Sequence, residues 1–355
     1  MTFAAAMTDP DLPLVSVVIP VRNEAAFIGR NLEGVLAQDY PADRLEILVA
    51  DGRSTDGSRE IVTQIADRVA REAGGARVVL VDNPERIMPT GTNEAIRRST
   101  GDVIVLMGGH AKMPSNYLRQ CVTTIYEKGA DAASGAIESV GTGLVGEAIA
   151  AAMSSPFGIG NSGFRTATGG EPFEVDTIPF GAYRRTVFER VGLFNPHMVR
   201  HQDYEFNYRV RMSGGRMLLI PGLRATYHVR SSLAALWKQY WPNGIWKGRF
   251  VRRFPQSLKL RHLVPSIFSL ALVLSALGGI VFPPLLVVFG TILGAYIGFV
   301  LAALATFASR GQWRILPVLP AVMLCLHLSY GLGVWVGLAM PSVPPAPRLE
   351  PAPRA

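Results

Sequence analysis

The chain has 355 residues, 49% of them hydrophobic, with 35 Lys and Arg against 27 Asp and Glu and a net charge of +8. That length suits one large domain with an appendage. The positive balance does not point to nucleic acid: Lys238, Lys247, Arg249, Arg252, Arg253, Lys259 and Arg261 gather just before a long apolar stretch, and no nucleic-acid-binding motif accompanies them.

A basic segment in that place is the expected cytoplasmic flank of a membrane span, drawn to anionic lipid. Two cysteines, Cys121 and Cys325, cannot build a disulfide framework and fit a reducing compartment. The first apolar run, Leu14 to Val21, follows Asp9 and Asp11 and is interrupted by Pro20. It does not read as a secretory signal, so the polar part of the chain is expected to stay in the cytoplasm.

In chain order, an extension over 1–13 precedes a buried strand at Leu14–Pro20. Phe27, Ile28, Leu32, Val35 and Leu36 then make a helical stripe. A second strand at Leu45–Ala50 leads to a helix around Ser58–Arg71. A third at Arg77–Val81 leads to a helix near Asn93–Arg98, and Asp102–Met107 is a fourth strand. This alternation predicts an α/β fold with a parallel sheet covered on both faces. The middle region carries Gly-rich stretches at 141–146 and 158–170 and is expected to complete the sheet. Within it, a helix is expected at Thr186–Val191, with late strands at Arg216–Ile220 and Arg224–His228.

After an α/β domain over 14–230, residues 231–262 read as a basic amphipathic segment at the membrane interface. Three runs at 263–282, 283–308 and 315–340 are each long enough to cross about 30 Å of hydrocarbon at about 1.5 Å per residue. From Leu263 to Met340 Arg310 and Arg314 are the only charged residues, and both fall between the second and third runs. The pattern puts the main domain and that loop inside, and the Pro-rich tail 341–355 outside.

Ligands of open parallel sheets bind beyond the carboxyl ends of the strands. The residues there are Arg22-Asn23-Glu24, Asp51-Gly52, Asp82-Asn83 and Gly108-Gly109-His110, all polar or backbone-permissive. Four such loops on one edge form a site. A carboxylate such as Asp51 can accept hydrogen bonds from a base or ribose there, or cap a helix.

Three groups of motifs then converge. Ser16 to Glu24 and Asp51 to Ser58 resemble the opening of family 2 glycosyltransferases of the GT-A nucleotide-diphospho-sugar transferase fold. Gly91 to Ile96, Gly101 to Val105, Phe180 to Arg184 and Gln202-Asp203 extend the likeness over about residues 14–250. The later part resembles bacterial exopolysaccharide transferases of the succinoglycan type.

The resemblance implies an inverting hexosyltransferase that takes sugar from a nucleotide diphosphate, such as a UDP-sugar, to a lipid-linked saccharide. Its setting would be exopolysaccharide or cell-surface synthesis at the plasma membrane. Transfer to polyprenyl phosphate is an alternative, as is a non-catalytic GT-A-like membrane scaffold. It assigns Pro20, Arg22, Glu24, Asp51, Asp82, Gly108, Gly109 and His110 to the donor, with Glu24 otherwise a helix cap. Gly181, Gln202 and Trp241 are assigned to the acceptor, although Trp241 with Trp237 and Trp246 equally suits an interfacial helix.

The family's catalytic base falls on Asp203 in His201-Gln-Asp-Tyr-Glu205, with Glu205 the local alternative. Its Asp-x-Asp motif, which holds Mn2+ or Mg2+, is here Gly108-Gly109-His110. A divalent cation would then rest on His110, His228 and the donor's diphosphate, His228 matching a late histidine of similar transferases. No Gln-x-x-Arg-Trp segment of processive relatives is intact.

Overall fold

The computed structural model describes residues 9–72, 74–109 and 111–346. The chain divides into two compact units. One comprises Met1–Ile137, Ala167–Thr226 and the segment from Pro344 onward. The other comprises Glu138–Thr166 and Tyr227–Val343.

The first unit opens with β1 (Val15–Val21), α1 (Ala25–Leu36), β2 (Leu45–Asp51), α2 (Ser58–Val69), β3 (Arg77–Asp82), α3 (Met88–Arg98) and β4 (Val103–Leu106). β1 is flanked by β2 and β4, all parallel, and β3 pairs in parallel outside β2. Every residue of β2 is buried, as a strand covered on both faces requires. The helical stripe holds in part: α1 turns Ile28, Leu32 and Val35 into the core and packs Leu36 against it, whereas Phe27 is 51% exposed. α3 begins five residues earlier than its pattern suggests. Pro89 stands in its first turn, where a missing N–H costs no helical bond.

After α4 (Tyr117–Glu127) and β5 (Ala132–Val140), the second unit takes α5 (Gly143–Met153), α6 (Pro156–Ile159) and α7 (Gly163–Thr166). The chain then returns to the sheet with β6 (Phe173–Glu174), β7 (Ala182–Arg184), α8 (Arg185–Val191), α9 (Gln202–Met212) and β8 (Met217–His228). The strand order is β3-β2-β1-β4-β7-β5-β8-β6, with β7 antiparallel to β4 and β5. The two late strands expected are one. β8 runs through Pro221-Gly222, and Pro221 lies past the short ladder in which β6 pairs with Leu218 and Leu219.

One buried carboxylate stitches the amino ends of these strands together. Glu46, 2% exposed, accepts from the Ser16 hydroxyl, the Thr100 hydroxyl at 3.1 Å and the Gly101 N–H at 3.2 Å. A Cβ at Gly101 would sit 2.7 Å from the Leu14 carbonyl, so glycine alone lets this turn close.

The rest of the second unit is α10 (Leu233–Arg253), α11 (Leu260–Val281), α12 (Leu285–Ser309) and α13 (Leu319–Ala339). The last three are long and apolar enough to cross a membrane. α10 and α13 meet backbone to backbone. A Cβ at Gly244 would lie 3.0 Å from the Gly333 Cα, and one at Gly333 would lie 2.5 Å from the Trp241 carbonyl. Cβ atoms at Gly248 and Gly337 would collide with the carbonyls of Val334 and Ile245. Each helix thus carries two glycines four apart on one face, the spacing that lets helices approach closely.

Candidate active site

The carboxyl edge of the parallel strands brings the expected residues into one row. Val21, Asp51 and Asp82 are in register across β1, β2 and β3. Gly52 donates to the Val21 carbonyl at 2.8 Å, and Asn83 to the Asp51 carbonyl at 2.9 Å, so the loops leave the sheet already tied.

Asp51 is fully buried. Its Oδ2 accepts from Arg59 at 2.7 Å and from the Ser54 N–H at 3.1 Å, while its Oδ1 is buried with no hydrogen-bond partner. Arg59 also reaches Asp82 at 3.2 Å. Sequence reasoning missed Arg59. The signal was a cation in the first turn of α2, next to a strand-end carboxylate that needs one.

The loop after β2 is tied to the loop after β1. The Asn23 N–H donates to Ser54 (2.8 Å), the Glu24 N–H to Ser58 (2.9 Å) and the Thr55 N–H to the Asn23 side chain (2.9 Å). Hydrogen bonds from the Ser58 hydroxyl and the Ala25 N–H hold the Asp56 carboxyl below the usual carboxylate range. Asp56 is therefore consumed in the loop. A Cβ at Gly52 would stand 3.3 Å from the Arg22 side chain and 3.4 Å from the Arg86 backbone, so Arg22 and Arg86 flank the same glycine.

At the end of β4, Asn31 of α1 donates to the carbonyls of Gly108 (3.1 Å) and Ala111 (2.8 Å), fixing the loop. A Cβ at Gly109 would be 3.0 Å from Val21 and 3.4 Å from Glu24, and one at Gly108 would be 3.5 Å from the Phe180 ring. Phe180 and Gly181 thus join the edge from the other side, where the Leu106 N–H donates to the Gly181 carbonyl at 2.9 Å. A side chain at Gly181 would strike Tyr183 and Ile178. Pro20 lies within β1, half-buried, one residue short of the edge.

Asp203 stands exposed in the first turn of α9. Burial pushes the Tyr183 phenol up, and the Asp203 carboxylate adds to the shift. Gln202 donates to the Met88 sulfur at 3.0 Å, linking the start of α9 to the start of α3. Asn207 secures the helix with bonds to Thr177, Ile178 and the Tyr183 hydroxyl. Glu205 is different: 2% exposed, it pairs with Arg209, which also donates to the carbonyls of Val191 and Leu193. It holds α9 in place and is closed to a substrate.

The backbone marks the same place. Among the described residues, the non-glycine residues with left-handed φ are Asn23 (57°), Arg53 (56°), Arg86 (63°), Phe180 (45°) and His201 (57°). They follow β1, β2 and β3 and precede β7 and α9. Such backbone costs on the order of 1–3 kcal/mol per residue and clusters at functional sites.

His110 lies outside the described residues, and His228 and Trp241 belong to the second unit. Gly108 and Gly109 offer no ligand, and no group of three His, Cys, Asp or Glu side chains converges among the described residues.

A half-parallel sheet with polar, strained loops at its carboxyl edge is the GT-A arrangement for a nucleotide-sugar transferase. Residues 16–192 match the glycosyl transferase family 2 model, and the chain belongs to that family: it is a glycosyltransferase. It is 27% identical over 245 residues to the dolichyl N-acetyl-alpha-D-glucosaminyl phosphate 3-beta-D-2,3-diacetamido-2,3-dideoxy-beta-D-glucuronosyltransferase of Methanococcus voltae, covering 67% of this chain and 74% of that one. It is also 27% identical over 328 residues to the succinoglycan biosynthesis protein ExoA of Rhizobium meliloti, covering 90% and 93%. Among solved structures, the mannosyltransferase PcManGT from Pyrobaculum calidifontis, in complex with GDP-Man and Mn2+, shares the fold. The TM-score is 0.55 at 20% identity, over 91% of this chain and 88% of that one.

Proposed function

We propose that the chain is an inverting transferase moving a sugar from a nucleotide diphosphate, with UDP the leading carrier, to a lipid-linked saccharide at the cytoplasmic face of the plasma membrane. The observation that carries the donor half is the buried Asp51 Oδ1, unpartnered at the strand edge. A buried carboxylate oxygen without a donor is costly, and a base N–H or ribose hydroxyl supplies one. Arg22 and Arg86, beside Gly52, are the cations nearest the path of a diphosphate. Pro20, Glu24, Asp82, Gly108 and Gly109 shape the remaining wall.

Asp203 is the proposed base. It removes the acceptor hydroxyl proton as that oxygen bonds to the anomeric carbon, and the bond from that carbon to the diphosphate oxygen breaks on the opposite face. The protonated Asp203 and the nucleoside diphosphate are the immediate products beside the elongated acceptor. Gly181 and Gln202 line the acceptor side of this reading.

The polysaccharide setting and the lipid acceptor rest on the named relatives and on the apolar helices. Where a divalent cation takes part, the donor's phosphates and His110, with His228, would hold it and would offset the charge on the departing diphosphate. Asp203→Asn should lose transfer by about 10²–10⁴-fold while keeping donor affinity. Wild-type turnover in that variant would overturn the assignment. Product analysis with polyprenyl phosphate and with a lipid-linked saccharide separates the two acceptor classes.

A further inference from the structure

Three successive spans would carry the chain end to the far side of the membrane from the catalytic domain. Within the first unit, however, the segment after α13 is docked. Asn195, 1% exposed, donates through Nδ2 to the Pro344 carbonyl at 2.8 Å and accepts from the His197 N–H through its other side-chain atom. Pro344 is only five positions along the chain from Ala339, the end of α13. An extended chain of that length reaches about 18 Å, well short of about 30 Å of hydrocarbon.

We infer that α13 does not cross the bilayer: it lies along the membrane surface beside α10, and only the α11–α12 hairpin enters the lipid. The segment after α13 therefore stays on the side of the catalytic domain.

Three further features agree. α10 and α13 run parallel in contact, Gly244 against Gly333 and Gly248 against Val334, which sets them at one depth. α10 carries Lys238, Arg249, Arg252 and Arg253 and is too polar to cross. Its stacked Trp237 and Trp241, with ring centroids 6.1 Å apart, suit the headgroup zone.

Both ends of α13 meet basic side chains. At its carboxyl end Arg252 donates to the carbonyls of Leu338 and Met340, and Arg249 to that of Pro341, all at 3.0 Å. At its amino end stand Arg310 and Arg314, the latter 3.3 Å from Glu147 of α5. A helix with positive charge at both ends fits one face of a membrane better than two.

The hairpin is the opposite case. From Ala276 to Gly290 no residue has a polar side chain, and Ile280, Val281 and Val287 are 79%, 88% and 72% exposed. Its two ends are flanked by Lys259 and Arg261 on one side and Arg310 and Arg314 on the other, so it enters and returns to the same face.

The test is labelling of the full chain with a membrane-impermeant maleimide, in sealed vesicles of each orientation. Pro345→Cys and Asp43→Cys are each introduced in a Cys325→Ala background, and Asp43 marks the catalytic domain's side. Both cysteines should label from the same face and be protected from the other. Labelling of Pro345→Cys from the face where Asp43→Cys is protected would overturn the inference. If Pro345→Cys is labelled from neither face, fusions beyond Ala355 decide: green fluorescent protein should be bright and alkaline phosphatase inactive, and the reverse overturns it. The readout is indifferent to catalysis, so an Asp203→Asn chain should label identically.

Discussion

Arg59 places its guanidinium 2.7 Å from one carboxylate oxygen of Asp51 and leaves the other oxygen buried and unpartnered. In the proposed reading the cation orients the carboxylate, and the open oxygen takes a hydrogen bond from the nucleotide. Asp51→Asn should weaken nucleotide binding by about 10–100-fold, as expected for a buried hydrogen bond to a charged group worth about 1.5–3 kcal/mol. Arg59→Met should act in the same direction and also lower thermal stability, because it strands a buried charge. Titration calorimetry with UDP and with other nucleoside diphosphates checks both.

The two carboxylates at the start of α9 should separate cleanly. Glu205→Gln loses the ion pair with Arg209 that pins α9 to Val191 and Leu193. It should lower the melting temperature by several degrees and leave turnover of the folded fraction within a few-fold. Equal loss of turnover in Glu205→Gln and Asp203→Asn, at matched folded fraction, would contradict the division of roles.

Gly337→Val and Gly248→Val should each disrupt the α10–α13 contact, since a side chain at either would meet a backbone carbonyl that cannot move aside. Overpacking of this kind typically costs about 1–3 kcal/mol. Detergent-solubilised variants should unfold earlier on heating. Nucleotide binding by the first unit, read by calorimetry at low temperature, should persist.

High pH should destabilise the chain. Burial pushes the Cys121 thiol and the Tyr117 and Tyr183 phenols up. The folded chain keeps these protons where the unfolded chain loses them, so stability is full below the ordinary values and declines as pH rises past about 8.5 for the thiol and about 10 for the phenols. Melting temperatures at pH 7.5, 9 and 10.5 should fall in that order. Cys121 should also resist iodoacetamide in the folded chain at pH 8.

Much of the site was legible because strand ends announce themselves. Apolar runs stop at Val21, Asp51 and Asp82, and the residues that follow are those a ligand would meet. Gly108 and Gly109 stood out as a departure from the Asp-x-Asp pattern. What escaped was whatever depends on partners distant in sequence. Arg59 read as an ordinary helix residue until Asp51 and Asp82 were beside it in space. Glu205 and Asp203 look alike in the string, and only burial tells the structural carboxylate from the exposed one. The paired glycines of α10 and α13 were visible as spacings four apart, yet spacing alone does not say which helix faces which. The docking of Pro344 on Asn195 has no local signal at all.

The glycine contact between α10 and α13 also orders events during synthesis. Ribosomes add about 5–20 residues per second, and α10 (Leu233–Arg253) leaves long before α13 (Leu319–Ala339). Through that interval the glycine face of α10 has no mate, while β1 to β8 are already complete and able to fold. The sheet can therefore fold first, and the pairing of α10 with α13 through their glycines comes after it.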